Sequence, residues 1–477
     1  MTWPTQPPGS PYAQPYPPRH APGYPPPPWA GQPDRLVGYP TPPPPKKKRG
    51  GVIAVVVALV ILLPLILGGI FLLVIRHQVS PGTPGHASGT MKVAWSVPAV
   101  KGNTTGIALA GSWLTDKYIV DGRPDGLVAY AIGTGQQQWG TQAPDGLRAC
   151  AMSATPSQNI GIVGYGADQY TCDKVAAIDL TSGQQLWRVD LADHGKFPTR
   201  LSDPSVSVSG DVVAVRTSNT VETLNLTDGK QIWTTPKPQG LSAVDCTPQG
   251  VAAGASLVYA LESCLSNSGS KAQLVAFNRS GPSPVWTSPL PGRPEGYRIV
   301  AAEPLVVVDT STKQAYSFAN GQTPVNFSLS DLSYDVFTET SLARQPQLLH
   351  ACAIVGKVLY AEGTIQKPLS NSIVAIDLST GKQLWTKSLG QSVLSTIISA
   401  DAKGVHAITE ESGQNTYQLV TYAAATGQVS YGTAAHDSRF TFTAEDMLYL
   451  APGGYLIDLP AATSMAQREI IVLSNAS

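Results

Sequence analysis

Two kinds of apolar pattern divide the chain. Residues 51–75 are one apolar run without a charged residue, whereas from residue 91 onward apolar residues come in short alternating bursts bounded by Gly, Pro, Asn, Asp or Ser. The first pattern predicts a transmembrane helix, about 37 Å long against a hydrocarbon core of about 30 Å. Pro64 is tolerated as a kink in such a segment. The run is too long and too far from the N-terminus for a cleaved signal peptide, and no small-residue cleavage site follows it. Period-two bursts predict β-strands with one face buried.

The strands recur as a phrase. VAAIDLTSGQQLW ends at Trp187, VETLNLTDGKQIW at Trp233 and IVAIDLSTGKQLW at Trp385. Looser copies end at Trp139, Trp286 and Tyr431, and QAYSFANGQTPVNF supplies a degenerate copy with Phe327 in the aromatic position. Each phrase predicts a β-hairpin. An alternating strand runs into Asp179, Asn225, Asn278 or Asp377, whose side chains can accept hydrogen bonds from amides two residues on. Gly135, Gly183, Gly229, Gly381 and Gly427 stand four residues before the aromatic, where the turn requires φ > 0. The returning strand carries a flat ring able to wedge between neighbouring sheets. Further strand candidates lie between phrases, at 211–215, 357–360 and 404–408. About four strands per period predict an all-β fold, a β-propeller of four-stranded antiparallel sheets.

The chain ends predict ring closure. MKVAWSVPAV, with Trp95, matches only the last strand of a unit, and GGYLIDLP, with Asp458, matches a phrase strand lacking its Gly and Trp. Pairing the two removes exposed edges and gives eight blades, or seven if the Phe327 copy forms none. The phrases resemble the PQQ-like repeat, AxDxxTGxxxW, of quinoprotein dehydrogenases and of the bacterial BamB-type assembly lipoproteins. The resemblance covers roughly residues 91–460 and implies the propeller fold.

Charge and composition add location. Residues 1–76 hold seven Lys/Arg and one acid, and subtracting these from 32 and 32 leaves 25 bases and 31 acids beyond them. A mildly acidic domain lacks the clustered basic face that nucleic acid requires. Eighteen of the 41 prolines lie in the first 45 residues, the composition of a disordered tail. Lys46, Lys47, Lys48 and Arg49 precede the apolar run, while Arg76 follows it nearly alone. The positive-inside rule then places the tail in the cytoplasm and the C-terminal domain outside. The expected organisation is a Pro-rich cytoplasmic tail (1–50), a single-pass helix in the plasma membrane (51–75), a stalk (76–90) and an extracytoplasmic propeller (91–477).

Candidate chemistry is sparse. Cys150 with Cys172, and Cys246 with Cys264, fall within single units and predict two local disulfides, suited to an oxidising exterior; Cys352 is left as a buried thiol. The seven His residues are scattered without metal-ligand spacing, and no nucleophile-elbow motif occurs. Resemblance to the dehydrogenases would imply PQQ and calcium, an acidic base and a vicinal Cys-Cys pair, yet no two cysteines are adjacent. No catalytic, cofactor-binding or metal-ligating residue is assigned. The expected function is a membrane-anchored scaffold binding a protein or other ligand at a propeller face. The alternatives are a quinoprotein dehydrogenase and a sensor linked to a cytoplasmic partner. The longest insertion, 331–350, offers Tyr334, Phe337 and Arg344 as interface candidates.

Overall fold

In a computed structural model, residues 90–98, 111–167, 171–191, 201–202, 206–217, 219–236, 246–266, 269–333, 352–365, 370–411, 416–435, 447–459 and 468–475 are described. All lie in the second of two units, Ser80–Ser477. The tail, the expected transmembrane helix and the stalk fall outside the described residues. Among the described residues no helix is long and apolar enough to cross a membrane.

The strands form antiparallel quartets in sequence order. The first comprises Gly111–Leu114, Tyr118–Arg123, Gly126–Ala131 and Gln137–Gln142; the second Arg148–Met152, Ile160–Gly166, Lys174–Asp179 and Gln185–Asp190. The third comprises Val206–Ser209, Val212–Arg216, Val221–Asn225 and Gln231–Thr234; the fourth Cys246–Ala253, Leu257–Ser266, Gly269–Asn278 and Gly281–Leu290. The fifth comprises Tyr297–Ala302, Leu305–Asp309, Gln314–Ser317 and Val325–Ser328; the sixth Cys352–Val355, Val358–Glu362, Ser372–Asp377 and Lys382–Ser388. The seventh comprises Val393–Ala400, Gly404–Glu411, Thr416–Ala423 and Val429–Ala435. The last is composite: Met447–Ala451, Tyr455–Leu459 and Arg468–Asn475 from the C-terminus, completed by Thr90–Pro98. Parallel pairing of Thr90 and Met91 with Ala434 and Ala435 joins the seventh quartet and the composite one into a single sheet.

Closure by the N-terminal strand agrees with expectation, but the role given to GGYLIDLP is corrected. Tyr455–Leu459 is the second strand of its quartet, and REIIVLSN is the third, with Val472 opposite Trp95. Asp458 is therefore fully buried inside a sheet and does not form a turn. Ser474, two residues past Val472, occupies the place that Asp179 holds two residues past Ala177, the partner of Trp187. The degenerate copy builds a complete quartet, with Phe327 opposite Ala315.

The hairpin chemistry is as the phrase predicts, with one exception. Asp179, Asn225 and Asp377 accept the amides of Thr181, Thr227 and Ser379 at 2.7–2.8 Å, and Gly183, Gly229 and Gly381 have φ of +73°, +68° and +69°. At Asn278 the strands turn through two residues instead, pairing Asn278 with Gly281. The glycines serve a second purpose. A Cβ on Gly229 would lie 2.7 Å from the Trp187 ring, and one on Gly183 2.5 Å from Trp139. Each of Trp95, Trp139, Trp187 and Trp385 thus lies on a glycine of the following quartet. These rings and that of Trp233 donate the indole N–H to the carbonyl just beyond the following quartet's turn position: Trp95 to Ile132, Trp139 to Leu180, Trp187 to Leu226, Trp233 to Arg279 and Trp385 to Ala424, at 2.7–3.1 Å. Trp286 stacks on Phe318 of the next quartet, with centroids 5.6 Å apart.

The hydrophobic core is divided in the same way. Each buried cluster lies between consecutive quartets, such as Trp187 with Val206, Val213 and Leu224, and one joins the last quartet to the first through Ile457, Val472, Ile119 and Tyr130. The ring is closed by packing as well as by pairing.

Both expected disulfides are present. Cys246 and Cys264 are direct cross-strand partners. Cys150, on the first strand of its quartet, reaches Cys172 at the lead-in to the third, passing the second strand at Gly164. A Cβ on Gly164 would lie 2.7 Å from the Cys172 sulfur. Gly164→Ala is expected to destabilise the fold by about 1–3 kcal/mol through overpacking, seen as a lower urea midpoint. The effect should shrink when Cys150 and Cys172 are both replaced by Ala.

Candidate binding face

Antiparallel connectivity sorts the loops. Connections between first and second strands, and between third and fourth, lie at one end of the sheets. Connections between second and third strands, and from each quartet to the next, lie at the other. Every connection longer than seven residues, including 99–110, 191–205, 329–351 and 436–446, belongs to the second end.

The first end is occupied by its own contacts. Ser157 Oγ and Gln158 Nε2 donate to the Gly210 carbonyl across two quartets at 2.8 and 3.2 Å. Arg279 donates to the carbonyls of Ala255 and Ser209 at 2.7 Å each and pairs with Asp211. Asn320 donates to Ser379 O and accepts from Lys357. Asp377 belongs to this end as well. Hydrogen bonds from Ser379 and Thr380, with the Lys357 charge, hold its carboxyl below the ordinary value, outweighing slight desolvation. A depressed folded-state pKa contributes stability above the unfolded value and loses it as pH falls through the folded one. The destabilisation by Asp377→Ala is therefore expected at pH 7 and should shrink as pH falls through the folded-state value, measured by urea unfolding across the acid range.

Beneath the long-connection end, buried polar groups lie near the ends of the second strands. Asp121 accepts from Arg123 at 3.0 Å, and Arg123 also donates to the Tyr130 hydroxyl at 2.7 Å. Tyr449, hydrogen-bonded to Ser112 at 2.6 Å, has its phenol pushed up to about 12 by burial, with the Asp121 charge adding to the rise. Glu362 accepts the Ile397 amide at 2.8 Å, and Asn371 exchanges two hydrogen bonds with Ser395 at 2.8–2.9 Å. Asp309 is spent on Ser311 and Thr312; their hydrogen bonds outweigh its desolvation and lower its pKa. The contacts of Tyr449 with Ser112, Glu362 with Ile397 and Asn371 with Ser395 bridge neighbouring quartets, while those of Asp121 and Asp309 stay within their own. Above them Leu265 and Ile365 stand in solvent, 52% and 59% exposed.

Tyr334, Phe337 and Arg344 lie outside the described residues. The connection that carries them leaves the fifth quartet and enters the sixth at this same end. Its described start is tied down, with Ser333 N donating to Glu362 O at 2.8 Å and Thr364 N to Asp331 O at 2.9 Å. The assigned repeat residues Asp179, Gly183, Asn225, Gly229, Asp377 and Gly381 sit in turns at the opposite end, and Trp139, Trp187, Trp233, Trp286 and Trp385 lie at quartet boundaries. One arrangement has no counterpart in the motifs: the Thr421 hydroxyl is 3.1 Å from His406 Nδ1, and Asp401 is 3.4 Å from Nε2. The Asp401 carboxylate already caps its own turn, accepting the amides of Lys403 and Gly404. Cys352 is buried, which raises its thiol pKa well above the usual value, and the Glu362 charge adds to the rise.

The match to a family model comes from residues 86–324, half of the chain, and its description is outer membrane protein assembly factor BamB. Among solved structures the chain is similar to BamB from Moraxella catarrhalis, at 15% identity, covering 81% of this chain and 100% of that one, with a TM-score of 0.44. It is also similar to the quinohemoprotein alcohol dehydrogenase ADHIIG from Pseudomonas putida HK5, at 12% identity, covering 83% and 77%, with a TM-score of 0.50. A chain of a mitotic checkpoint complex aligns at 12% identity over 93% of this chain and 99% of that one, with a TM-score of 0.39. No curated protein sequence matches. The repeat, the quartets and the family match together make the fold a PQQ-like β-propeller. The bonded cysteines are 22 and 18 residues apart and staple strands within one quartet, so they form no vicinal ring.

Proposed function

The chain belongs to the family of the outer membrane protein assembly factor BamB, and we propose that it is a non-catalytic propeller that binds a partner protein at its long-connection end. In this reading the quartets are eight blades, residues 51–75 anchor the chain in the plasma membrane, and the propeller lies outside the cytoplasm. The asymmetry of the two ends carries the reading. One end is closed by short turns stitched to one another, while the other presents every long connection on a braced rim, the arrangement by which rigid scaffolds display binding loops. Thr90, where the described chain enters its sheet, lies at the turn end.

Site-specific photo-crosslinking in intact cells tests this. A benzophenone side chain at Leu265 or Ile365 is expected to capture a protein, and one at Thr134 or Thr181, in the turns, is not. Capture confined to the turn positions, or at none of the four, would assign binding elsewhere.

A further inference from the structure

The fourth quartet carries three metal-ligand side chains on one face. Cys246 is directly opposite Cys264, and Glu262, two residues before Cys264, points to the same side of the sheet. The two sulfurs and a Glu262 carboxylate oxygen all lie within 4.8 Å of one another, and all three residues are half-buried. Gln273, opposite Glu262 on the third strand, donates to its Oε2 at 2.7 Å and lies 3.6 Å from the Cys246 sulfur. Burial raises the Glu262 pKa, with the Gln273 hydrogen bond drawing it partly back. A carboxylate beside a thiolate pair completes a set of three metal-ligand atoms, and an amide that fixes its orientation is the usual outer support of a metal ligand.

We propose that reduction of Cys246–Cys264 opens a site for a metal ion of the zinc class, held by both thiolates and the Glu262 carboxylate. Two sulfurs and one oxygen suit tetrahedral zinc, with the fourth position left to water, and do not suit calcium or magnesium. A trialkylphosphine supplies the two electrons: the phosphine, the disulfide and one water give the phosphine oxide and two thiols. Metal binding then displaces both thiol protons. The half-exposed position admits a reductant, whereas Cys150 and Cys172 are fully buried and stay joined. The oxidised pair, its sulfurs bonded to each other, offers no thiolate to a metal.

The test is a cobalt(II) titration of the full chain before and after phosphine treatment, followed by thiolate-to-cobalt absorption in the near ultraviolet, with circular dichroism in parallel. One equivalent is expected to bind the reduced chain and none the oxidised chain, and zinc should displace it. Cys264→Ser should abolish the band, and Glu262→Gln should weaken binding by about tenfold or more while the sheet signal is retained. Free thiols that take up no cobalt, loss of the sheet signal on reduction, or unchanged affinity in Glu262→Gln would each overturn the proposal.

Discussion

Trp187→Ala is expected to destabilise the propeller by about 3–5 kcal/mol, a shift readable in the urea midpoint. The indole is 8% exposed and packs into the cluster shared by the second and third quartets. It covers Gly229 and donates to the Leu226 carbonyl at 2.7 Å, so removal opens a cavity and strands a buried acceptor. Leu186 next to it is 42% exposed, and Leu186→Ser should stay within about 0.5 kcal/mol. Gly229→Ala is destabilising for two reasons, φ of +68° and the ring 2.7 Å from the new Cβ. In the Trp187→Ala background only the first remains, so a double-mutant cycle should show coupling between the two sites. Additive costs would mean that the ring does not rest on the glycine.

Removal of residues 90–98 is expected to have the larger effect, the loss of cooperative folding. That strand supplies the fourth member of the composite quartet and bridges to the seventh through Thr90 and Met91. Without it the Arg468–Asn475 strand becomes an open edge, and Ile470, Val472 and Leu473, all fully buried, lose their cover. Trp95 no longer reaches Ile132, so the contact to the first quartet is cut as well. A chain beginning at residue 80 should unfold in one sharp transition. One beginning at residue 99 should show a broad, early transition or aggregate. Identical transitions would mean that closure contributes little.

Much of this architecture is legible in the sequence because the repeat records its own packing. Gly at a fixed distance before an aromatic reports a backbone constraint, and the structure adds that the same glycine leaves space for the preceding quartet's ring. What stays hidden is whatever has no local signature. The residue before each Trp is apolar in LW, IW and VW, and strict alternation places it on a sheet face. The pairing instead skips a register there, as between Gln185 and Trp187 or Gln383 and Trp385. The resulting bulge leaves Leu186, Ile232, Val285 and Leu384 in solvent, 39–52% exposed. Tyr455–Leu459 reads as a phrase strand because YLIDL shares its alternation and acid; only pairing across the ring distinguishes the second strand from the third. The Glu262 cluster is equally hidden, since cross-strand register brings Cys246 beside residues at 262 and 264. The braced rim is likewise a property of tertiary contacts, and no single motif encodes it.

Whether this propeller acts by binding alone is tested most directly by titrating the purified chain with pyrroloquinoline quinone and calcium, followed by quinone absorbance and tryptophan fluorescence. No saturable response is expected, because the disulfides staple strands and none forms a vicinal ring to cover a quinone. Saturable, calcium-dependent binding accompanied by dye reduction with an alcohol or sugar would contradict the scaffold reading and make the protein an oxidoreductase.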